Sequence, residues 1–197
     1  MKQSKAYHLA MRSVFIAIII AQSLIPFLGY IPLGVVNITM IQLTAITAGI
    51  VLGPKDGLWV GFSWGLIKLF MAYTAPASLM DTLVFQNPII TIIPRMCVGY
   101  FSGICMRYLS KVCSQKFSLT ITAAVGSLTN TCLVLTFIRL FATKGAVAVY
   151  HTTSSHLSTL LLGVAFTNGI PELMTSIIIV PLLSSILLKK INAKVVH

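Results

Sequence analysis

Residues 87–109 have the sequence NPIITIIPRMCVGYFSGICMRYL, a long apolar run with one charge, Arg95, in its interior. A helix needs about 20 apolar residues to cross a bilayer core about 30 Å thick. Arg95 lies about eight residues into this helix, roughly 12 Å from its start, where snorkelling to the surface is hard. An ionisable group at membrane depth costs about 2.5–3.5 kcal/mol, so it indicates a functional site or a charge-neutralising pair.

The rest of the chain has the same apolar character. Of its 197 residues 57% are hydrophobic and 9% are charged, whereas soluble domains carry about 25% charged residues. We therefore predict an all-α integral membrane protein with a single transmembrane domain, residues 1–197. The net charge of +11 does not indicate nucleic acid, because the basic residues form short clusters between apolar runs rather than one face interleaved with aromatic rings.

The hydrophobic pattern predicts six transmembrane helices separated by proline- and glycine-rich breaks. They are placed at residues 9–28, 33–53, 57–74, 87–109, 118–141 and 159–188. The less apolar stretch 75–88 is expected to be a loop or a shallow re-entrant segment, and 142–158 is a second polar segment. The first helix lacks a small-residue cleavage site after it, so we expect it to be retained.

The distribution of basic residues predicts the orientation of the helices. Ten of the 14 lysines and arginines lie in the two termini and in the connections after the second and fourth helices. Cytoplasmic segments carry such an excess, so both termini are predicted to be cytoplasmic. Arg139 and Lys144 lie on the outer side, and Lys68, near the outer end of the third helix, is expected to snorkel.

Motifs for catalysis are missing from the sequence. It contains no G-x-x-x-x-G-K-[ST], H-E-x-x-H or G-x-S-x-G pattern, and three acidic residues in total. Nucleotide hydrolysis by a P-loop and acid–base catalysis by paired carboxylates are therefore not expected. We predict no catalytic residue and no metal ligand.

Polar residues inside three helices are the candidates for ligand binding: Asn87, Arg95, Asn130, Asn168 and Glu172. Pro94 and Pro171 directly precede the two charges, and a proline frees a backbone carbonyl that a polar partner can then satisfy. Two interpretations stay open. Asn130 is either a contact between helices or a ligand contact. Arg95 and Glu172 are either a buried ion pair or a site in which Arg95 binds an anion and Glu172 accepts from hydroxyl or amide donors.

The first helix carries small residues at every fourth position, Ser13, Ala17 and Ala21. Such a strip lets another helix approach closely. It serves either packing within this protein or docking to another membrane subunit.

Three local signatures carry a family resemblance: LGPKDG at 52–57 followed by Gly61 and Gly65, Asn87-Pro88 with Ile93-Pro94-Arg95, and TNGIPE at 167–172. With six predicted helices and no ATPase motif, the chain resembles the S components, the substrate-binding membrane subunits of energy-coupling factor (ECF) vitamin transporters. It looks most like the pantothenate-type members.

The resemblance implies a function and partners. The protein would capture a vitamin outside a bacterial cell membrane, associate with a scaffold membrane subunit and two cytoplasmic ATPases, and topple to release the ligand inside. It would hold no cofactor, since the partner subunits use the ATP. Asn168 matches an asparagine that contacts ligand in related members, and the strip at Ser13, Ala17 and Ala21 would be the docking surface, although alanine is common where Ser13 stands.

Pantothenate offers one carboxylate, an amide and two hydroxyls, which suit Arg95 and the polar set Asn87, Asn130, Asn168 and Glu172. Residues 75–86 and 142–158 would form its lid. The alternatives are an S component for another water-soluble vitamin, a stand-alone proton-coupled transporter in which Glu172 carries the proton, and a small intramembrane enzyme.

Overall fold

The structure is a computed structural model that describes residues 5–33 and 36–195, and it is a helical bundle with one small β-hairpin. The elements in chain order are α1 (Lys5–Leu24), α2 (Pro26–Gly29), β1 (Tyr30–Leu33), β2 (Val36–Thr39), α3 (Met40–Leu52), α4 (Pro54–Thr74), a π-helical turn (Asp81–Phe85), α5 (Pro88–Leu109), α6 (Gln115–Phe141), α7 (Thr143–Tyr150) and α8 (Leu157–Val195).

Four of the described helices are long and apolar enough to cross a membrane: α1, α5, α6 and α8. Helix α4 has 21 residues but is less apolar, and α3 has only 13. The predicted segments 9–28, 57–74, 87–109, 118–141 and 159–188 coincide with α1, α4, α5, α6 and α8 apart from shifts at their ends. The number of spans and the side of each terminus stay predictions.

The predicted helix at 33–53 is wrong at residue 33 and at residues 36–39, and its residues 34 and 35 lie outside the described part of the chain. The chain forms the antiparallel hairpin β1–β2 there, with Tyr30 opposite Thr39, and α3 begins only at Met40. The reason is local composition: β2 has the sequence VNIT, and β-branched residues favour strands. Both strands and helices can be uniformly apolar, so hydrophobicity alone did not separate them.

The two polar segments are more helical than a loop prediction implies. The π-helical turn Asp81–Phe85 occupies part of 75–88, and α7 occupies half of 142–158. Their apolar residues pack with α6 and the start of α8 in a small core of Val84, Ile90, Ile138, Ala146, Leu157 and Leu161. This packing fixes both segments over one end of the bundle, which we call the lid end.

Glycines set the distance between α4 and α5. A Cβ added at Gly61 would collide with the carbonyl group of Arg95, and one added at Gly57 would collide with the backbone of Gly99. Gly57, Gly61 and Gly65 recur at every fourth residue, the spacing that lets membrane helices approach closely. The contact brings α4 against α5 at the level of Arg95.

The opposite end of the bundle is rich in lysine and arginine, and we call it the basic end. The start of α1 and the start of α4 meet there through His8 and Asp56, whose Nδ1 and Oδ2 atoms are 2.7 Å apart. The end of α5 joins them, because Gly103 abuts Pro54.

Candidate ligand-binding site

A cavity of about 320 Å³ lies at the lid end, between α5, α6 and α8 and beneath the π-helical turn and α7. Its volume is in the range of small-molecule sites. The polar residues lining it are Thr39, Arg95, Asn130, Thr131, Tyr150, Asn168 and Glu172, and the apolar ones include Phe85, Val134, Leu135 and Ile138. Four of the five predicted binding residues therefore surround one cavity.

Arg95 enters the cavity from α5 with only 6% of its surface exposed. Pro94 cannot donate to the carbonyl of Ile90, four residues earlier, and the Nη1 of Arg95 donates to that carbonyl at 3.0 Å. At Pro94, a polar side chain therefore satisfies the carbonyl that the proline frees. The Cζ of Arg95 lies over the rings of both Trp64 and Phe85, 5.4 Å from each ring centroid, a favourable cation–π geometry.

Part of the guanidinium is left without a partner. The buried Nε of Arg95 makes no hydrogen bond, and no carboxylate of residues 5–33 or 36–195 forms an ion pair with Arg95. Arg95 is therefore a fixed, desolvated cation that faces the cavity, which suits an anionic ligand group.

Glu172 faces the same cavity from α8 and is half-buried. Its Oε1 accepts a hydrogen bond from the backbone N–H of Thr39, the last residue of β2, at 3.2 Å. The structure shows no Arg95–Glu172 ion pair within the described ranges, and Glu172 also lacks any other cation partner there. The two opposite charges attract each other through space without a direct contact.

Asn130 reaches the cavity from α6 and is buried, with 9% of its surface exposed. Its Nδ2 donates to the Oε1 of Gln42 at 2.8 Å, while its own Oδ1 has no partner. Sequence reasoning missed Gln42. The available signal was an amide within an apolar run, at the third residue of α3, the same kind of signal that singled out Asn130.

Asn168 lines the cavity one helical turn before Glu172, next to Gly169. A Cβ at Gly169 would come within 3.2 Å of the Cγ2 of Thr131, so the glycine lets α8 lie close to α6.

Asn87 lies elsewhere. Its Oδ1 accepts from the backbone N–H of Ile89 at 3.0 Å and caps the start of α5. Asparagine is a preferred residue at this position. It is not among the lining residues of the cavity and faces the end of α6 and the start of α7 instead.

Residues 8–184 match the family model "ECF transporter, substrate-specific component". The chain belongs to this family. It is 34% identical over 196 residues to "Pantothenate transporter PanT" of Leuconostoc mesenteroides subsp. mesenteroides, with 95% of each chain covered. It is 32% identical over 193 residues to "Pantothenic acid transporter PanT" of Lactococcus lactis subsp. cremoris, covering 91% of this chain and 92% of that one.

The membership confirms the predicted family and a multi-pass membrane protein. The family and these relatives are transporters rather than enzymes.

The lid end of this S component is held by an ion pair. The Nζ of Lys68 lies 2.7 Å from the Oδ1 of Asp81, whose Oδ2 accepts from the backbone N–H of Ala77 at 3.0 Å. The snorkelling of Lys68 stays a prediction, and its ammonium has Asp81 as a partner at the lid end. The ammonium also lies 5.5 Å from the ring centroid of Phe85, the ring that packs on Arg95.

Tyr150 covers the cavity from the end of α7. Burial raises the pKa of its phenol above the ordinary value, so the hydroxyl stays protonated at neutral pH and can donate to a ligand.

The small-residue strip of this S component faces outward. Ser13, Ala17 and Ala21 are all exposed, whereas Phe15 and Ile19 of the same helix point into the core. The hydroxyl of Ser13 donates to the carbonyl of Leu9 at 3.0 Å, so it does not interrupt the apolar surface with a free donor. Within the described residues the strip is open for another helix.

Proposed function

We propose that this chain is the pantothenate-binding S component of an ECF importer. The observation that carries the proposal is the cavity at the lid end, where Arg95, without a carboxylate partner in the described ranges, shares the lining with Asn130, Asn168 and Glu172. The names of the two relatives favour pantothenate over other vitamins.

The chemistry of the lining suits pantothenate. Its carboxylate would bind the guanidinium of Arg95, which is held by two aromatic rings and the Ile90 carbonyl. Its hydroxyls and amide would hydrogen-bond to Asn130, Asn168 and Glu172. Asn87 has no direct contact in this proposal, because its side chain caps α5.

The membrane orientation follows from the two ends of the bundle. We infer six spans with both termini and the basic end in the cytoplasm, by the positive-inside rule. The cavity then faces outward beneath the π-helical turn and α7. The S component would capture its ligand there, dock on a scaffold subunit and use the ATP hydrolysis of two partner ATPases, with no cofactor of its own.

Equilibrium binding tests the ligand assignment. Purified protein in detergent, without nucleotide, should bind pantothenate with sub-micromolar affinity and bind riboflavin, biotin and thiamine far more weakly. Tight binding of a different vitamin would reassign the ligand, and no binding to any vitamin would rule out the S-component function.

The unpaired Glu172 favours one second candidate, a stand-alone proton-coupled transporter. Liposomes containing this chain alone, with a pH gradient and labelled pantothenate outside, separate the two. The S-component proposal expects binding without accumulation, and accumulation driven by the gradient would favour the alternative.

The exposed strip of α1 supports docking to the scaffold subunit. Replacing Ala17→Leu should abolish co-purification with the ECF module, because the larger side chain prevents close helix approach. Pantothenate binding should remain, since Ala17 does not line the cavity. Ser13→Ala is the control and should dock as the parent does. Normal assembly of the Ala17→Leu protein would exclude this face.

A further inference from the structure

We propose that Gln42 is a positioning residue for ligand selection. It fixes the side-chain amide of Asn130 so that the Oδ1 of Asn130 accepts a hydrogen bond from the ligand. The cavity then selects molecules that carry both an anionic group for Arg95 and a hydroxyl or amide N–H for Asn130. This inference rests on the proposed function, and it specifies that the ligand group bound by Asn130 is a hydrogen-bond donor.

Gln42 is fully buried in α3 and connects three helices. Its Nε2 donates to the hydroxyl of Ser127 on α6 at 3.0 Å and lies 3.4 Å from the hydroxyl of Ser176 on α8. Its Oε1 is the acceptor for the Nδ2 of Asn130 at 2.8 Å. Because both ends of the Gln42 amide have partners, the side chain has a defined orientation, and it imposes one on Asn130.

The fixed orientation leaves the Oδ1 of Asn130 unsatisfied. This atom is buried and makes no hydrogen bond, although the residue lines the cavity. A buried acceptor without a donor is costly, and few other hydrogen-bond donors are available to an amide inside the membrane. A ligand donor is the group that would satisfy it.

Arg95 does not donate a hydrogen bond to the Oδ1 of Asn130. The Nε of Arg95 and the Oδ1 of Asn130 are both buried without a hydrogen-bond partner, although both residues line one cavity. One orphan donor and one orphan acceptor define two separate points of attachment. A ligand that satisfies both must present an acceptor anion and a donor in the same small molecule.

Ligands that each lack one donor test the inference. The set is pantothenate, its two monodeoxy analogues and its N-methyl amide, measured by calorimetry on the parent protein, Asn130→Ala and Gln42→Met. One of the three analogues should bind the parent at least about tenfold more weakly than pantothenate, because the Asn130 acceptor is then left unpaired. In Asn130→Ala the same analogue and pantothenate should bind with similar affinities.

Gln42→Met separates positioning from a general structural role. Methionine keeps the length of the side chain but releases Asn130, so the preference for pantothenate over that analogue should shrink towards that of Asn130→Ala. A purely structural role would weaken all ligands alike and leave their ratios unchanged. Thr47→Val is the control, since Thr47 is a buried polar residue of the same helix outside the cavity lining, and its ratios should match the parent.

The outcomes are distinguishable. If the parent protein does not bind pantothenate, the proposed function and this inference both fail. If the parent binds pantothenate but Asn130→Ala keeps every ligand ratio, or Gln42→Met keeps them while Asn130→Ala does not, the inference alone is overturned.

Discussion

Asp56 at the basic end and Glu172 at the lid end are both carboxylates inside the helical bundle, but their surroundings differ. The Oδ1 of Asp56 lies 2.6 Å from the Nη2 of Arg12, and its Oδ2 lies 2.7 Å from the Nδ1 of His8. Glu172 accepts one backbone hydrogen bond, from Thr39, and has no cation partner among the described residues.

Under the proposed function, the difference separates charges that stabilise the fold from charges that bind a ligand. The Asp56 cluster joins α1 to α4 and is complete without any other molecule, even though it borders a larger groove of about 880 Å³. The cavity at the lid end is smaller but contains incomplete groups on Arg95, Asn130 and Glu172. Cavity size therefore does not identify the candidate site. The lid-end cavity is distinguished because two of its lining residues, Arg95 and Asn130, each carry a buried polar atom without a hydrogen-bond partner.

The largest expected effect is on Arg95. Arg95→Gln should weaken pantothenate binding about 100-fold or more, because it removes the buried charge partner of the ligand carboxylate. Calorimetry measures the affinity, and size-exclusion chromatography should show that the variant stays monodisperse. Arg95→Lys is the matched control and should retain part of the affinity, since it keeps the charge but not the planar fork.

A different result would show that the two charges support each other. If Arg95→Gln aggregates and the double variant Arg95→Gln with Glu172→Gln is monodisperse, then Arg95 and Glu172 form a structural pair.

The next largest effect should be on stability at the basic end. Asp56→Asn should lower the free energy of unfolding by about 1–3 kcal/mol, since two hydrogen bonds to charged groups are weakened, and thermal unfolding should begin roughly 5 °C earlier. Pantothenate affinity should not change. The adjacent, exposed Lys55→Gln is the control. A loss of affinity in Asp56→Asn with unchanged stability would reverse the distinction between the two ends.

Glu172→Gln should have a smaller effect on binding than Arg95→Gln, about tenfold, because glutamine keeps an acceptor for the Thr39 N–H and loses only the stronger charged hydrogen bond to a ligand donor. Calorimetry checks this value. Thr175→Val on the same helix is the control, since its hydroxyl donates to the backbone carbonyl of Pro171. Unchanged affinity in Glu172→Gln would remove Glu172 from the ligand contacts.

The smallest effect should come from the lid. Asp81→Asn keeps an acceptor for the Ala77 N–H but removes the charge that Lys68 pairs with, so we expect ligand dissociation about threefold to tenfold faster with little change in association. Stopped-flow tryptophan fluorescence measures both rates, since the ring centroid of Trp64 lies 5.4 Å from the Cζ of Arg95. Lys68→Arg preserves the pair and should dissociate as the parent does. Equal rates in all three proteins would show that the ion pair does not control the lid.

Sequence reasoning worked where the rule was local. Pro94 frees the carbonyl four residues earlier, and a polar side chain can satisfy such a carbonyl. The hydrogen bond from Arg95 to the Ile90 carbonyl is such a contact. Asn87 also follows a local rule, helix capping, which competes with ligand binding for the same side chain.

Sequence reasoning did not predict contacts between residues that are far apart in the chain. Gln42 bonds to Ser127 and Asn130, which are 85 and 88 positions away, and to Ser176, which is 134 positions away. In the sequence Gln42 is one amide in an apolar run. The strand pair at 30–33 and 36–39 was missed because an apolar strand and an apolar helix can have the same hydropathy.

The sequence by itself determined the membrane class, five of the helical segments and the high cost of a charge at Arg95, since these depend on composition and on rules that span a few residues. Only the tertiary structure decided which polar groups meet. The glycines of α4, the hairpin before α3 and the Gln42 contacts set the separations between helices. Those separations leave Arg95 and Glu172 facing one cavity without a direct ion pair. Asp56 and Asp81, in contrast, form ion pairs with Arg12 and Lys68.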